Sequence, residues 1–270
     1  MIEEWLDLCV NLACTPPAFR DGGRKIFRNI SLTVKDLNDI NLEDAGYTVR
    51  KLSMLKGYYY HEESIKAAQE MWAKRLGQNT YGSTCFTCFN HFVKGGSVNA
   101  SRAKHASVLS PCLQSVVITQ KPRKMVEVDI FYRTTEFIKK FAGDIIFLRE
   151  MLLFPNFKLD NLEAINFHFA NSTLHFMYYP ILFIHLAQPL QVMAKIKKAD
   201  EGFHDLVVKS ASRYLIPEFT RGIENHSQSM QVHRQMNGSL TKRQKKEIVE
   251  YLYANHKGYK KKYVPPEKKK

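Results

Sequence analysis

The 270-residue chain has no long hydrophobic run and few cysteines. Its densest apolar stretch, residues 176–186, is interrupted by Pro180 and His185, which argues against a membrane-spanning helix. The first ten residues are acidic where a secretory signal is basic. The five cysteines are an odd number, which disfavours a disulfide framework. These absences predict a soluble, cytoplasmic protein without a membrane anchor.

The positive charge is concentrated at the C-terminal end. The chain is 44% hydrophobic with a net charge of +14, and residues 240–270 hold 11 Lys and Arg against 3 Asp and Glu. A basic segment attracts phosphate groups without sequence preference, and it also serves as a solubilising end. We expect one domain over residues 1–239 and a basic helix with a lysine-rich tail over 240–270. Nucleic-acid contact through that tail and simple solubilisation both remain open.

Hydrophobic periodicity predicts helices and strands in an irregular order, which favours an α+β fold over a repeating βαβ sheet. The expected helices are 1–20, stopped by Pro16-Pro17, two within 47–76, then 135–153, mixed helical segments in 181–213, and 241–256. The expected strands are 25–33, 115–119, 125–132, 162–169 and 172–177. Residues 121–124 read as the turn of a hairpin with one solvated face.

Common nucleotide-loop, zinc-protease and serine-hydrolase motifs are absent from the sequence. Cys85 and Cys88 form a C-x-x-C pair, but the surrounding sequence is apolar and strand-like. A single pair without further ligands is a weak zinc signal. We therefore predict core thiols at these positions and no metal site.

A second cysteine has a more informative setting. Cys112 follows Pro111 at the start of the predicted hairpin, and Arg133 closes its second strand. A guanidinium held beside a cysteine favours the thiolate, which is the nucleophilic form. The spacing therefore indicates a candidate nucleophile, although a cysteine after proline more often has a structural role.

Around these residues the chain resembles the superfamily of thymidylate synthase and deoxycytidylate hydroxymethylase. The matching segments are SPCLQ around Cys112, YRTTE at 132–136, Asp144 eleven residues after Arg133, and NSTLHFM at 171–177. Weaker matches are the Phe19–Gly22 segment, similar to a phosphate loop, a core helix at 52–57, and the Tyr81-Gly82 pair. The resemblance implies a three-layer sandwich of a mixed sheet with helices, assembled as a homodimer.

The resemblance also implies a role for each matching residue. Cys112 would add to carbon 6 of a pyrimidine deoxynucleoside monophosphate and make carbon 5 nucleophilic toward a one-carbon unit from 5,10-methylenetetrahydrofolate. Arg133, with Thr134 beside it, and Arg20 would bind the 5′-phosphate, since a guanidinium holds phosphate bidentately. His175 would contact the ribose 3′-hydroxyl, and Tyr81 would form part of the catalytic-site wall. Each residue also has a purely structural interpretation. Arg133 is then a surface cation, His175 an interior or strand-edge histidine, and Tyr81 a packed core tyrosine.

Asp144 bears on which base is bound. Family members acting on deoxyuridylate have Asn at the matching position, whereas those acting on deoxycytidylate have Asp. A carboxylate accepts from the 4-amino group of cytosine and matches a ring protonated at N3. The resemblance therefore implies cytosine selection and a hydroxymethyl product. The alternative is a helix N-cap aspartate after Gly143.

The match fails at two functional positions. Arg50 or Lys51 stands where the family has its catalytic Glu, with Glu62 or Glu63 as possible substitutes. Met177 stands where a sugar-binding Tyr is expected, and Tyr178 is one residue away, where it would face the other side of the strand. Lys94 and Arg102 are the nearest candidates for the arginines that family dimers exchange.

Three interpretations follow from these matches and departures. The first is a divergent deoxycytidylate hydroxymethylase serving DNA-base modification, of phage or other viral origin and acting in the host cytoplasm. The second is a deoxyuridylate methylase or hydroxymethylase. The third is a protein on the same fold that acts on pyrimidines already in DNA, or that binds nucleic acid without catalysis.

Overall fold

The computed structural model describes residues 2–35, 62–78, 84–88, 112–138, 141–155, 157–216, 219, 233–234 and 236–257. The chain divides into two compact units. The first comprises residues 1–8 and 26–173, and the second comprises residues 9–25 and 174–270. The fold is α+β, as the irregular order of the predicted elements indicated.

The sheet is mixed, and its strand order is β1-β2-β6-β5-β4-β3. Strands β4 and β5 pair antiparallel, whereas β5 and β6 pair in parallel. The strands are β1 (Phe19–Asp21), β2 (Arg24–Val34), β3 (Thr84–Cys88), β4 (Leu113–Gln120), β5 (Val126–Glu136) and β6 (Leu162–His175). The helices are α1 (Ile2–Cys14), α2 (Glu62–Gly77), α3 (Phe141–Leu152), α4 (Pro189–Ala199), α5 (Glu201–Leu215) and α6 (Lys242–Asn255).

The predicted hairpin is confirmed in the first unit. Pro122–Lys124 form a tight 3₁₀ turn, and Arg123 and Lys124 both adopt positive φ there, at 60° and 61°. On β5, Val126, Val128 and Ile130 are buried, while Glu127 and Asp129 between them are partly exposed. The period of two is what a strand with one apolar face requires.

Helix α3 begins six residues later than the periodicity predicted. Residues 135 and 136 still pair with β6, and residues 137 and 138 form a turn. The ring of Phe141 then meets Phe167 and Phe169 of β6 edge-on, with ring centroids 5.1 and 5.4 Å apart. The predicted apolar side of the helix is buried, but cross-strand hydrogen bonding extends the strand at the expense of the helix.

Strand β6 is one continuous element where two were expected. It runs from Leu162 to His175, and residues 176–178 form a turn rather than the end of a strand. The expected gap at residues 170 and 171 belongs to this strand, in which the polar residues Asn171 and Ser172 both pair with β5. Ladder hydrogen bonds in the sheet therefore outweigh their low strand propensity.

In the second unit, β1 is followed by a two-residue turn of Gly22 and Gly23 with φ of 52° and 82°. Two successive positive φ values are typical of the hairpin turn that matches strand twist, and they favour glycine. A Cβ atom on Gly23 would lie 2.6 Å from Cε1 of Phe176, so the position has no space for a side chain.

Helix α6 belongs to the core of the second unit. Thr241 and Gln244 form a reciprocal capping box at its start, and Ile248 and Leu252 are buried. The predicted helix over residues 241–256 is thus confirmed. A deletion beginning at residue 240 would remove core contacts as well as positive charge.

Candidate functional site

Cys112 and Arg133 face one another at the open end of the hairpin in the first unit. The register pairs Leu113 with Tyr132, and the Arg133 amide donates to the Cys112 carbonyl oxygen at 2.8 Å. Cys112 is a half-buried free thiol, and the Arg133 side chain is exposed. The sequence-predicted neighbours are therefore brought together by one backbone hydrogen bond. Thr134 follows, partly exposed and paired with Asn171 of β6.

Beside this pair, the alternation of buried side chains shifts by one residue in two neighbouring strands. In β5 the even-numbered positions are buried as far as Tyr132, and the next buried residue is Thr135. In β6 the odd-numbered positions are buried from Ile165 as far as Phe169, and the next buried residue is Ser172. The register pairs Tyr132 with Phe169 and Thr135 with Ser172, so the shifts lie side by side. Such a shift places the side chains that follow on the opposite face from the one that unbroken alternation would give them.

Two further strands are irregular at this level. The register of β4 shifts between Leu113 and Ser115. In β2, Asn29 has a φ of 53°, a left-handed conformation that asparagine tolerates better than most residues. Hydrogen bonds join Ser31 to His168 and Thr33 to Asn166, and the same register places Asn29 opposite residue 170. A line of irregular positions therefore crosses four adjacent strands beside Cys112 and Arg133.

The shift directs Thr135 toward Asp144. The Thr135 hydroxyl donates to Oδ2 of Asp144 at 3.3 Å, and the Asp144 residue is 5% exposed. Burial raises the pKa of Asp144 well above its ordinary value of 3.8, which favours the protonated acid. A protonated carboxyl can both donate and accept a hydrogen bond.

The alternative interpretation of Asp144 as a helix N-cap is wrong. Helix α3 begins at Phe141, so Asp144 lies inside the first turn of the helix. An N-cap residue instead has non-helical backbone angles and precedes the first turn. Helix capping therefore does not explain why the carboxyl of Asp144 is buried.

Arg20 is held by a carboxylate in the second unit. Its Nη2 lies 2.5 Å from Oδ2 of Asp200, and Nζ of Lys25 lies 2.7 Å from the same oxygen. Lys25 is fully buried and also donates to the carbonyl oxygens of Ala13 and Thr15. Arg20 remains about half exposed, so the predicted phosphate ligand already shares an anionic partner.

The charge state of Asp200 follows from these contacts. Burial alone would raise its pKa, but hydrogen bonds from Lys25, from the Phe203 amide and from Arg20 hold the pKa below 3.8. Asp200 is also the N-cap of α5, since its Oδ1 accepts from the Phe203 amide at 3.0 Å. The group is therefore an ionised carboxylate with a structural function.

His175 ends β6 in the second unit. Its Nδ1 accepts a hydrogen bond from the Met177 amide at 3.1 Å, which places the proton of the neutral ring on Nε2. The Tyr178 ring lies 5.5 Å from the imidazole, between ring centroids. Tyr178 lies in a turn, so the expectation that it faces the other side of a strand is wrong. The Nε2 proton is of the kind that a ribose hydroxyl accepts.

Several predicted positions lie outside the described residues. They are Tyr81, the core helix at 52–57, Arg50, Lys51, Lys94, Arg102, and the lysines beyond residue 257. Glu62 begins α2, and Cys85 and Cys88 belong to β3, although nothing is described of these side chains. Within the described ranges, no group of three or more His, Cys, Asp or Glu side chains could hold a metal ion.

Sequence reasoning missed three residues that surround the predicted site residues. Thr135 contacts Asp144, and Asp200, which is shared with Lys25, holds Arg20. Thr135 lies within the YRTTE segment, but only the shift in alternation turns it toward Asp144. Lys25 was hidden because lysine is seldom buried. Asp200 had a signal, since it directly precedes an amphipathic helix, as an N-cap does.

No protein-family model matches the chain, and the search of curated proteins returns no match. In the described part of the chain, no helix is both long and apolar enough to cross a membrane.

Proposed function

We propose that this chain transfers a one-carbon unit to carbon 5 of a pyrimidine deoxynucleotide, with Cys112 as the nucleophile. The observation that carries the proposal is the hydrogen bond from the Arg133 amide to the Cys112 carbonyl, which fixes the two residues opposite one another. The mixed α+β sheet is compatible with the thymidylate synthase-like sandwich that the resemblance implies.

In the proposed reaction the Cys112 thiolate forms a bond to ring carbon 6, and the displaced electron pair makes carbon 5 nucleophilic. Arg133 is exposed beside Cys112 and would bind the 5′-phosphate. The one-carbon donor would be 5,10-methylenetetrahydrofolate, as the resemblance implies.

Asp144 would select the base in this proposal. As a protonated acid it would donate to N3 of neutral cytosine while its carbonyl oxygen accepts from the 4-amino group. This arrangement has the same proton count as a carboxylate with an N3-protonated ring. Burial favours the protonated form of Asp144, so in this arrangement Asp144 rather than the ring would carry the proton. The proposed substrate is therefore deoxycytidylate, with a hydroxymethyl product.

The test measures tritium release from carbon 5 of labelled deoxycytidylate, with labelled deoxyuridylate in parallel and methylenetetrahydrofolate present. We expect release that prefers deoxycytidylate and is abolished by Cys112→Ala. Cys14→Ala is the matched control, since Cys14 is also a half-buried free thiol and lies in the other unit. Release that survives Cys112→Ala, or no release from a folded wild-type protein, would overturn the proposal.

Two further variants separate the proposed roles. Asp144→Asn should shift the preference toward deoxyuridylate, because an amide matches the uracil edge. Arg133→Gln should raise KM about 10- to 100-fold, the cost of a charge-assisted phosphate contact. Arg123→Gln is its control, since Arg123 is exposed at the distal hairpin turn. An unchanged base preference in Asp144→Asn would exclude Asp144 from base selection.

A further inference from the structure

An open groove of about 550 Å³ lies in the second unit, apart from any residue of the proposed chemistry. Helix α4, the first residue of α5 and the C-terminal half of α6 form its walls. The lining residues are Ala194, Lys197, Lys198, Glu201, Tyr251 and Asn255. The groove therefore combines two adjacent lysines, one carboxylate, an aromatic ring and an amide.

The phenol of Tyr251 is anchored from below by a buried histidine. His204 is fully buried, and its Nε2 lies 2.9 Å from the Tyr251 hydroxyl. Its Nδ1 faces Oδ1 of Asp205 at 3.5 Å, so the proton is favoured on Nδ1 and the Tyr251 hydroxyl donates to Nε2. The two rings also meet edge-on at 82°. Tyr251 is thereby held as a fixed aromatic wall of the groove.

The two lysines present positive charge that acidic side chains do not neutralise. Nζ of Lys197 donates to Oδ1 of Asn255 at 2.9 Å, which orients the ammonium group while leaving its charge intact. Among the residues that the structure describes, no ion pair joins Lys197 or Lys198 to a carboxylate. Both acidic neighbours of the groove, Glu201 and Asp205, are instead paired with Lys257, at 3.8 and 2.5 Å.

Positive charge continues beyond the groove. Lys195 is exposed on α4, and three consecutive lysines at 260–262 follow α6 in the sequence. Residues 189–270 contain 18 Lys and Arg against 8 Asp and Glu. A ligand matched to the exposed Lys195, Lys197 and Lys198 of α4 has several negative charges spaced along its length. A groove that is open at the surface also admits a chain longer than one nucleotide.

We propose that this groove binds single-stranded nucleic acid, with backbone phosphates at Lys197 and Lys198 and a base stacked on Tyr251. Aromatic rings beside a basic groove bind single strands because every unpaired base has a π face. In a duplex the bases are stacked on one another and cannot reach a side wall. The inference is independent of the proposed carbon-5 chemistry, since it uses none of those residues.

The test is fluorescence anisotropy of a labelled oligothymidylate with the full chain over a range of salt concentrations. Lys197→Gln/Lys198→Gln should weaken binding about tenfold and reduce the salt slope by about 1.4, the contribution of two single-strand phosphate contacts. The matched control is Lys242→Gln/Lys246→Gln, which removes the same charge from exposed positions of α6 outside the groove lining. A smaller loss in the control supports the groove, whereas equal losses overturn it.

Tyr251 variants test the stacking contact. Tyr251→Leu should weaken binding by about 5- to 100-fold, whereas Tyr251→Phe keeps the ring and should stay within about twofold of the wild type. If Tyr251→Leu does not fold, the lysine pairs and Tyr251→Phe decide the question. Competition identifies the ligand class. Equal displacement by duplex DNA or by a nucleoside monophosphate would overturn a single-strand site, as would absence of binding.

Discussion

Each unit encloses an aspartate near the start of a helix, and the two carboxyls have opposite surroundings. Asp144 of the first unit accepts a hydrogen bond from the neutral hydroxyl of Thr135, and burial raises its pKa. Asp200 of the second unit accepts from Lys25 and Arg20, and these contacts lower its pKa despite burial. The pKa of the same residue type is thus shifted in opposite directions in the two units, because its tertiary partners differ.

This difference separates a group suited to chemistry from a group suited to stability. A neutral buried acid retains a proton that it can donate, whereas a paired carboxylate holds two cations in place. His204 with Tyr251 resembles the first arrangement, since burial lowers its pKa and a hydroxyl is its partner. Substitutions at these positions can therefore test the comparison by stability measurements alone.

The largest effect is expected for Asp200→Ala. Lys25 would remain buried, with the carbonyl oxygens of Ala13 and Thr15 and the ring of Phe203, whose centroid lies 4.8 Å from its Nζ, as its contacts in the described part of the chain. Breaking one partner of a buried ion pair costs about 3–5 kcal/mol of unfolding free energy. Urea unfolding measures the loss, with the exposed Asp160→Ala as the control. A loss below about 1 kcal/mol would mean that the pair behaves as a surface salt bridge.

The contribution of Asp200 should also depend on pH. Its folded pKa lies below the ordinary 3.8, so its stabilisation is present above that value and is lost as pH falls through the folded pKa. The stability difference between wild type and Asp200→Asn should therefore shrink below about pH 3.8, by at most about 1.4 kcal/mol per pH unit. A difference that stays constant down to pH 2 would show that these partners do not lower the pKa of Asp200 in the folded state.

Tyr251→Phe should have a smaller effect. The substitution leaves Nε2 of the fully buried His204 without the hydroxyl that is its partner at 2.9 Å. An unsatisfied buried acceptor costs about 1–2 kcal/mol. Thermal or urea unfolding detects the loss, and Ser239→Ala, at an exposed position of the same unit, should be near neutral. Equal stability of Tyr251→Phe and wild type would contradict an anchoring role for His204.

The smallest effect is expected for Asp144→Asn. An amide replaces a neutral acid of the same shape and still accepts from Thr135, so the loss near pH 4 should stay within about 1 kcal/mol. Because the folded pKa is raised, the wild type loses stability as pH rises above the unfolded value, and the variant does not.

The variant should therefore gain on the wild type as pH rises above the ordinary pKa of 3.8, in parallel urea titrations. A pH-independent difference would show that the carboxyl titrates alike in the folded and unfolded states. Asp144 would then not hold the proton that its proposed role requires.

The hairpin was predictable in detail, whereas the site beside it was predictable only in part. Alternating apolar residues fixed the two strands, and their length fixed Cys112 opposite Arg133. The coordinated shift of β5 and β6 could not be predicted from the sequence. In each strand it amounts to one extra residue between two buried positions, which is visible only once the strands are paired. That shift places Thr135 against Asp144, so the surroundings of Asp144 required the paired strands.

Local sequence therefore determined the capped helix α6 and the alternating part of the strand β5. It also fixed which residue types are available for chemistry. Tertiary structure decided where α3 begins, in which direction the pKa values of Asp144 and Asp200 shift, and how Lys25 is buried. The physical reason is that sheet pairing and charge state depend on partners distant in sequence, whose energies no local pattern contains.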